Sequence, residues 1–180
     1  YLGSKLGEDY LAVNTILMQF IILAAFFLDA YAFSTEGIVG FTVGRRNRKS
    51  FLLVVKNSIQ LSFFTALIIS ALFLIFFKQM INIFTDVEIL RFISYKHAIW
   101  IIIIPPVASF CYQLDGIFIG ASQTKEMRNA MMVAVASFLV ISIYLTKYFD
   151  NHGLWLSLLL FMILRSLTLK YFFKKILRKF

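Results

Sequence analysis

Long apolar runs separated by short polar segments make up the pattern of this chain. About 20 apolar residues are enough for one helix to cross the hydrocarbon core of a bilayer. The pattern therefore predicts an all-α fold, a polytopic transmembrane helix bundle over residues 11–180, preceded by an external loop over residues 1–10. The five membrane spans are expected at about 13–43, 51–77, 97–121, 130–147 and 154–173.

Residues 78–96 have a different pattern, in which apolar positions recur with helical spacing among charged residues. Thr85 followed by Glu88 is typical of a capping box at the start of a helix. A short helix lying on the membrane surface is therefore predicted to begin near Asp86. A solvated connector would explain the same residues equally well.

Pro105 and Pro106 lie at the centre of the third predicted span. Two consecutive prolines remove two backbone donors and leave the carbonyls of Ile101 and Ile102 without their helical partners. We expect the third helix to be kinked and broken at these prolines. Helices broken near mid-membrane line cavities in many transporters.

The composition places the chain outside the soluble globular class, since 61% of its residues are hydrophobic and its mean hydropathy is +0.84. Its one cysteine, Cys111, lies within an apolar run, so an intrachain disulfide is excluded and inert packing is expected. The sequence contains no HExxH or GxSxG motif and no paired His within a span. We therefore predict no catalytic residue, no metal site and no enzymatic activity.

The net charge of +9 comes from cations in the short segments between spans, where membrane topology explains them better than nucleic-acid binding does. The segments after spans one and three and the C-terminal tail carry four, two and five cations, whereas on the other side five cations are matched by five acids. The C-terminus is therefore predicted to be cytoplasmic and the N-terminus external. This arrangement predicts at least one further helix before Tyr1.

Carboxylates inside the spans are the candidate chemistry. Asp29 and Glu36 are seven residues apart, which places them on one face of a helix about 10 Å from each other. A charge at mid-bilayer costs about 2.5 to 3.5 kcal/mol or more unless it is paired or hydrated. Together with Tyr112, Gln113 and Asp115 of span three, they are the candidate residues of a substrate or ion pathway.

Structural roles are open alternatives for the same polar residues. Glu36 would then bond to Asn57 or Gln60 of the next span, and Arg165 would neutralise a carboxylate. Gly40 and Gly44 form a small-residue step that lets another helix approach closely. His152, in a loop, is expected to be solvated.

Four segments together resemble the multidrug and toxic compound extrusion (MATE) family, in particular its DNA-damage-inducible F-type bacterial branch. They are LDAYAFSTEGIVGFTVGRRNRKSF, TDVEILRFISYK, QLDGIFIGASQTKEMRNAM and HGLWLSLLLFMILRSLTL. The resemblance implies a carrier of twelve helices in two six-helix lobes, of which this chain would be helices eight to twelve. It also implies a multi-pass protein of the bacterial inner membrane.

The activity that the resemblance implies is antiport: export of small amphipathic or cationic substrates in exchange for H⁺ or Na⁺, with no other cofactor. The implied partners are the lipid bilayer and a missing N-terminal lobe. In sodium-coupled relatives an Asp of helix ten binds the ion with a Glu of helix seven, and Asp115 lies about one turn closer to the cytoplasmic end. A non-transporting truncated remnant, a split-carrier subunit and a lipid-precursor flippase of related fold remain alternatives.

Overall fold

The computed structural model describes Gly3 and residues 6–180, and within them it is helical with no strand. The helices are α1 (Glu8–Gly44), α2 (Arg48–Phe84), α3 (Glu88–Gly120) and α4 (Thr124–Leu177). Each is long and apolar enough to cross a membrane. The predicted all-α membrane bundle is confirmed.

The start of α1 differs from the prediction of an external loop over residues 1–10. Residues 1, 2, 4 and 5 lie outside the described residues, and α1 already begins at Glu8. Glu8 and Asp9 occupy the first turn, where negatively charged side chains stabilise the helix by interacting with the positive end of its dipole.

The structure has four long helices where five spans were predicted, because predicted spans four and five are joined in α4. The one non-helical residue inside α4 is Asp150, with φ 47° and ψ −131°. The rings of Phe138 and Phe161 lie 5.9 Å apart, although a straight helix would separate these residues by about 35 Å. Residues 124–149 (the first arm) and 151–177 (the second arm) therefore run antiparallel.

The turn between the two arms is very tight. Gly153 lies so close to the backbone of Leu145 that a methyl group at this position would overlap it. The loop expected between spans four and five is thus reduced to a sharp reversal at Asp150. The hydrophobic pattern does not predict so short a turn.

The predicted surface helix between spans two and three is wrong. α2 continues to Phe84, and only Thr85, Asp86 and Val87 interrupt the helices before α3 begins at Glu88. Arg91 stabilises this short link, since it donates to the carbonyl of Thr85 (2.8 Å) and pairs with Asp86 (2.8 Å). The polar residues of this region belong to the ends of two long helices.

The predicted break at Pro105 and Pro106 is also wrong, because α3 is helical through both prolines. Pro105 is buried, as are Ile101 and Ile104 in the preceding turn. Packing of neighbouring helices allows proline to remain within a membrane helix. A bend at these residues stays a prediction.

The centre of the bundle is the contact between α1 and α3, which we call the α1–α3 seam. Methyl groups at Gly116 or Gly120 would overlap the backbone of Ala32 or Glu36, respectively. The GxxxG spacing in α3 therefore brings the two backbones together, as small residues do in membrane helix pairs.

The small-residue step predicted in α1 takes only a partial role in this seam. A methyl group at Gly40 would lie 3.4 Å from the carbonyl of Gly120, whereas one at Gly44 would meet nothing within 4 Å. The step that determines the approach lies on α3.

One end of the bundle, which we call the basic end, joins the α1–α2 link, the α3–α4 link and residues 170–180. The ring of Phe51 lies 5.0 Å from that of Phe180 and 5.8 Å from that of Phe173. Lys179 donates to the carbonyl of Ala121 (2.6 Å). The three cationic segments identified in the sequence therefore share one side, and the cytoplasmic location of that side stays a prediction.

Candidate functional site

An ion pair links α3 to the second arm of α4 inside the bundle. Arg165 Nη2 lies 2.7 Å from Asp115 Oδ2, and each side chain is only 15% exposed. The carboxylate predicted for a pathway thus has a protein partner, which is the structural alternative considered for Arg165.

This ion pair leaves one buried polar atom of each side chain without a hydrogen-bond partner in the described part of the chain. Among the described residues, Asp115 Oδ1 and Arg165 Nε are buried and have no hydrogen-bond partner. A guanidinium and a carboxylate usually meet through two parallel bonds. The single contact leaves one strong acceptor and one strong donor available at the same place.

Asp29 and Tyr112 each lie about one helical turn before the contact of Ala32 with Gly116, so they are at a similar depth in the bundle, within electrostatic range of Asp115. It is half-buried, and within the described residues its carboxylate has no hydrogen bond or ion pair. We call Asp29, Tyr112, Asp115 and Arg165 the charged cluster. Three of the five candidate positions therefore come together, although Asp29 and Asp115 lie on different helices.

Gln113 faces the seam and not the charged cluster. It is fully buried, its Oε1 accepts a hydrogen bond from Thr35 Oγ1 (2.9 Å), and its Nε2 has no partner in the described part of the chain. Thr35 also lies 2.8 Å from the carbonyl of Tyr31, and the Tyr31 hydroxyl accepts from Thr65 (3.0 Å). Gln113 is thus part of a chain of polar contacts from α3 through α1 to α2.

Glu36 is set apart from the charged cluster. Its backbone lies against Gly120, about one turn nearer the basic end than the contact of Ala32 with Gly116. Its half-buried side chain makes no bond to Asn57 or Gln60, both of which are exposed.

A polar network at the end opposite the basic end was missed by the sequence analysis. Asn14 and Asn151 exchange two amide hydrogen bonds of 2.6 and 3.0 Å, and the indole of Trp155 donates to Asn14 (2.8 Å). The network connects α1 to the second arm of α4. The sequence signal for this network was the presence of two Asn and one Trp at the ends of apolar runs, where buried amide and indole groups need hydrogen-bond partners.

His152 also differs from the expectation of a solvated side chain. Its ring is exposed but stacks on buried His97 at 4.2 Å and accepts a hydrogen bond from the indole of Trp100 (3.0 Å). His97 Nδ1 donates to the carbonyl of Ile93 (2.8 Å), which leaves Nε2 without a partner among the described residues. The two imidazoles help to fix the turn at Asp150 against α3.

The largest cavity described is an apolar groove of about 580 Å³ between α1 and α2, lined by residues such as Phe27, Thr65 and Phe76. A second cavity of about 290 Å³ has a more polar wall that includes Tyr31, Thr35 and Asn57. Neither is lined by Asp29, Glu36 or Asp115.

In the part of the chain that the structure describes, no group of three His, Cys, Asp or Glu is arranged to hold a metal ion.

Comparison with known proteins identifies related sequences. The MatE family model matches residues 1–147. DNA damage-inducible protein F of Escherichia coli (strain K12) is 36% identical over 168 residues, which cover 93% of this chain and 36% of that protein. Protein DETOXIFICATION 44, chloroplastic, of Arabidopsis thaliana is 23% identical over 165 residues, or 91% of this chain and 32% of that protein.

The chain therefore spans about a third of the length of these curated relatives. No solved structure matches it at a significant level.

Proposed function

Since this chain belongs to the MatE family, whose members are transporters and not enzymes, we propose that it forms part of a secondary active exporter of small amphipathic or cationic compounds. The observation that carries the proposal is the charged cluster. Its carboxylate at Asp29 is unpaired among the described residues and lies within a helix that is apolar enough to span a membrane. A charge in that setting is costly unless water, an ion or a substrate reaches it.

Exchange requires one group that binds either the coupling ion or the substrate, so that each displaces the other. A carboxylate in partly apolar surroundings suits this role, because a proton, Na⁺ or an organic cation can each neutralise it. In the charged cluster Asp29 is the carboxylate that takes this role, whereas Asp115 is already paired with Arg165. Tyr112 offers an aromatic face to a cation nearby.

The proposed arrangement places the basic end in the cytoplasm of a bacterium and the bundle in its inner membrane. Cations in short segments favour retention on the inside. Because the chain spans about a third of its relatives, we propose that an N-terminal lobe completes the carrier and the second wall of the pathway. A lipid-precursor flippase is not favoured, since Arg165, the one Arg within the predicted spans, is paired with Asp115.

Efflux of a cationic dye from cells that express the chain in its complete reading frame tests the proposal. Asp29→Asn is expected to abolish most efflux while leaving the protein in the membrane. The neutral amide carries no negative charge with which to bind either the coupling ion or a cationic substrate. Asp9→Asn, the same change at an exposed residue, is the matched control and is expected to retain efflux. Unchanged efflux in Asp29→Asn would remove Asp29 from the mechanism.

The coupling ion is tested with the same cells. Collapse of the proton gradient at constant Na⁺ stops a proton-coupled carrier, whereas removal of Na⁺ at constant pH stops a sodium-coupled one. Efflux that survives both treatments would contradict the proposed antiport.

A further inference from the structure

Resting on the proposed function, we propose that Arg165 is a built-in cation that limits the charged cluster to substrates carrying a single positive charge. The charged cluster contains more acidic than basic side chains. Asp29 and Asp115 supply two negative charges, and Arg165 supplies one positive charge 2.7 Å from Asp115. One external positive charge then neutralises the cluster, and a second has no negative partner there.

Arg165 cannot be relieved of its charge or leave the cluster. A guanidinium stays protonated at any physiological pH. Its helix is fixed on both sides of this residue, because Leu169 is fully buried and Met162 packs against the apolar core. The next residue, Ser166, bonds back to the carbonyl of Met162 (2.9 Å), so the helix is also regular at this position.

The surroundings strengthen the effect of the guanidinium. Both members of the pair are 15% exposed, and the neighbouring residues of α3, Cys111, Leu114 and Ile117, are buried and mostly apolar. Charges interact more strongly in such surroundings than in water, so a repulsive charge is screened less. A dication bound at Asp29 would place its second charge beside an ion pair that is already neutral, where no carboxylate of the charged cluster is left to balance it.

The charge balance shows which carboxylate selects the substrate. Arg165 contacts only Oδ2 of Asp115, but its positive charge balances the whole carboxylate. Asp29 is therefore the carboxylate of the cluster that has no counter-charge among the described residues. Arg165 acts as a specificity-determining residue through charge and makes no contact with the substrate.

Ethidium and propidium form a matched pair of probes, because they share one aromatic core and carry one and two positive charges. We expect the wild-type carrier, expressed in its complete reading frame, to export and bind ethidium in preference to propidium. Arg165→Gln should raise the propidium-to-ethidium ratio by at least about tenfold, since it leaves Asp115 as a second carboxylate without a counter-charge in poorly screened surroundings. Arg165→Lys retains the charge and should retain the wild-type ratio.

A double variant, Asp115→Asn with Arg165→Gln, provides a test that does not bury an unpaired charge. Its net charge equals that of the wild-type cluster, so we expect the wild-type ratio of the two dyes. Binding to the purified carrier, followed by fluorescence anisotropy, gives the same ratios without depending on the rate of export.

The outcomes separate the two proposals. An Arg165→Gln carrier that changes both dyes by the same factor, or a double variant with an altered ratio, overturns the role of Arg165 while leaving export intact. A wild-type carrier that neither exports nor binds either dye overturns the proposed function, and the inference with it.

Discussion

Two ion pairs of this molecule each join a buried carboxylate to a cationic side chain, but they differ in the exposure of the cation. Asp115–Arg165 lies inside the bundle with one contact and two unpartnered atoms. Glu126–Lys175 lies at the basic end (3.0 Å), where the Lys175 side chain is 51% exposed and that of Glu126 is 11% exposed.

The pair at the basic end is embedded in a completed set of hydrogen bonds. With its amide oriented to satisfy both neighbours, Gln123 donates to Glu126 Oε2 (2.7 Å) and accepts from Lys179 (2.9 Å). Gln123 can donate to Glu126 without Lys175, and the Lys175 charge is exposed to solvent, so the loss of this pair should cost little. The interior pair has no such additional partners within the described residues, which makes it costly to break.

The largest expected effect comes from breaking the interior pair on one side. Arg165→Ala leaves the Asp115 carboxylate buried without a counter-charge, and we expect a loss of stability of about 3 to 5 kcal/mol. Thermal unfolding of the purified protein in detergent measures it. Replacing both partners by neutral residues should recover most of the loss, and equal losses in the single and double variants would contradict this account.

A smaller effect is expected at the seam that positions Asp115. Gly116→Ala places a methyl group against the carbonyl of Ala32, and the forced separation of α1 from α3 should cost about 1 to 3 kcal/mol. Gly37→Ala is the matched control, since a methyl group there meets nothing within 4 Å and should leave stability unchanged or slightly raised. If both variants unfold at the same temperature, the seam does not limit the approach of the helices.

The smallest effect is expected at the basic end. Lys175→Ala should cost less than about 1 kcal/mol, because Gln123 continues to donate to Glu126 and the charge removed is exposed to solvent. The difference from wild type should shrink further between low and high salt, since exposed charges are screened. A loss as large as that of Arg165→Ala would remove the contrast between the two pairs.

The hydrophobic pattern predicted the membrane bundle because long apolar runs have few other uses. It predicted the face shared by Asp29 and Glu36 from helical spacing, yet it could not separate them. Asp29 lies in the charged cluster because α3 brings Asp115 within electrostatic range of it, and Glu36 is excluded because its turn lies against Gly120. Such differences arise from the rotation of one helix against another.

Long-range pairing was beyond the sequence for a related reason. Asp115 and Arg165 are fifty positions apart, and only the reversal at Asp150 brings the second arm of α4 back to α3. The same GxxxG spacing occurs at Gly40–Gly44 in α1 and at Gly116–Gly120 in α3. The prediction of a close helix approach was made for the first pair, whereas the backbones meet at the second. A spacing of small residues indicates which surface allows close approach and does not identify the partner.

The amide pair of Asn14 and Asn151 has a consequence for biogenesis. It ties α1 to the second arm of α4, so the ribosome must reach residue 151 before Asn14 can receive these hydrogen bonds. Nascent chains that stop before residue 151 would keep α1 in the lipid with an unsatisfied amide, accessible to quality-control proteases. Release from that surveillance would then coincide with the insertion of the second arm of α4.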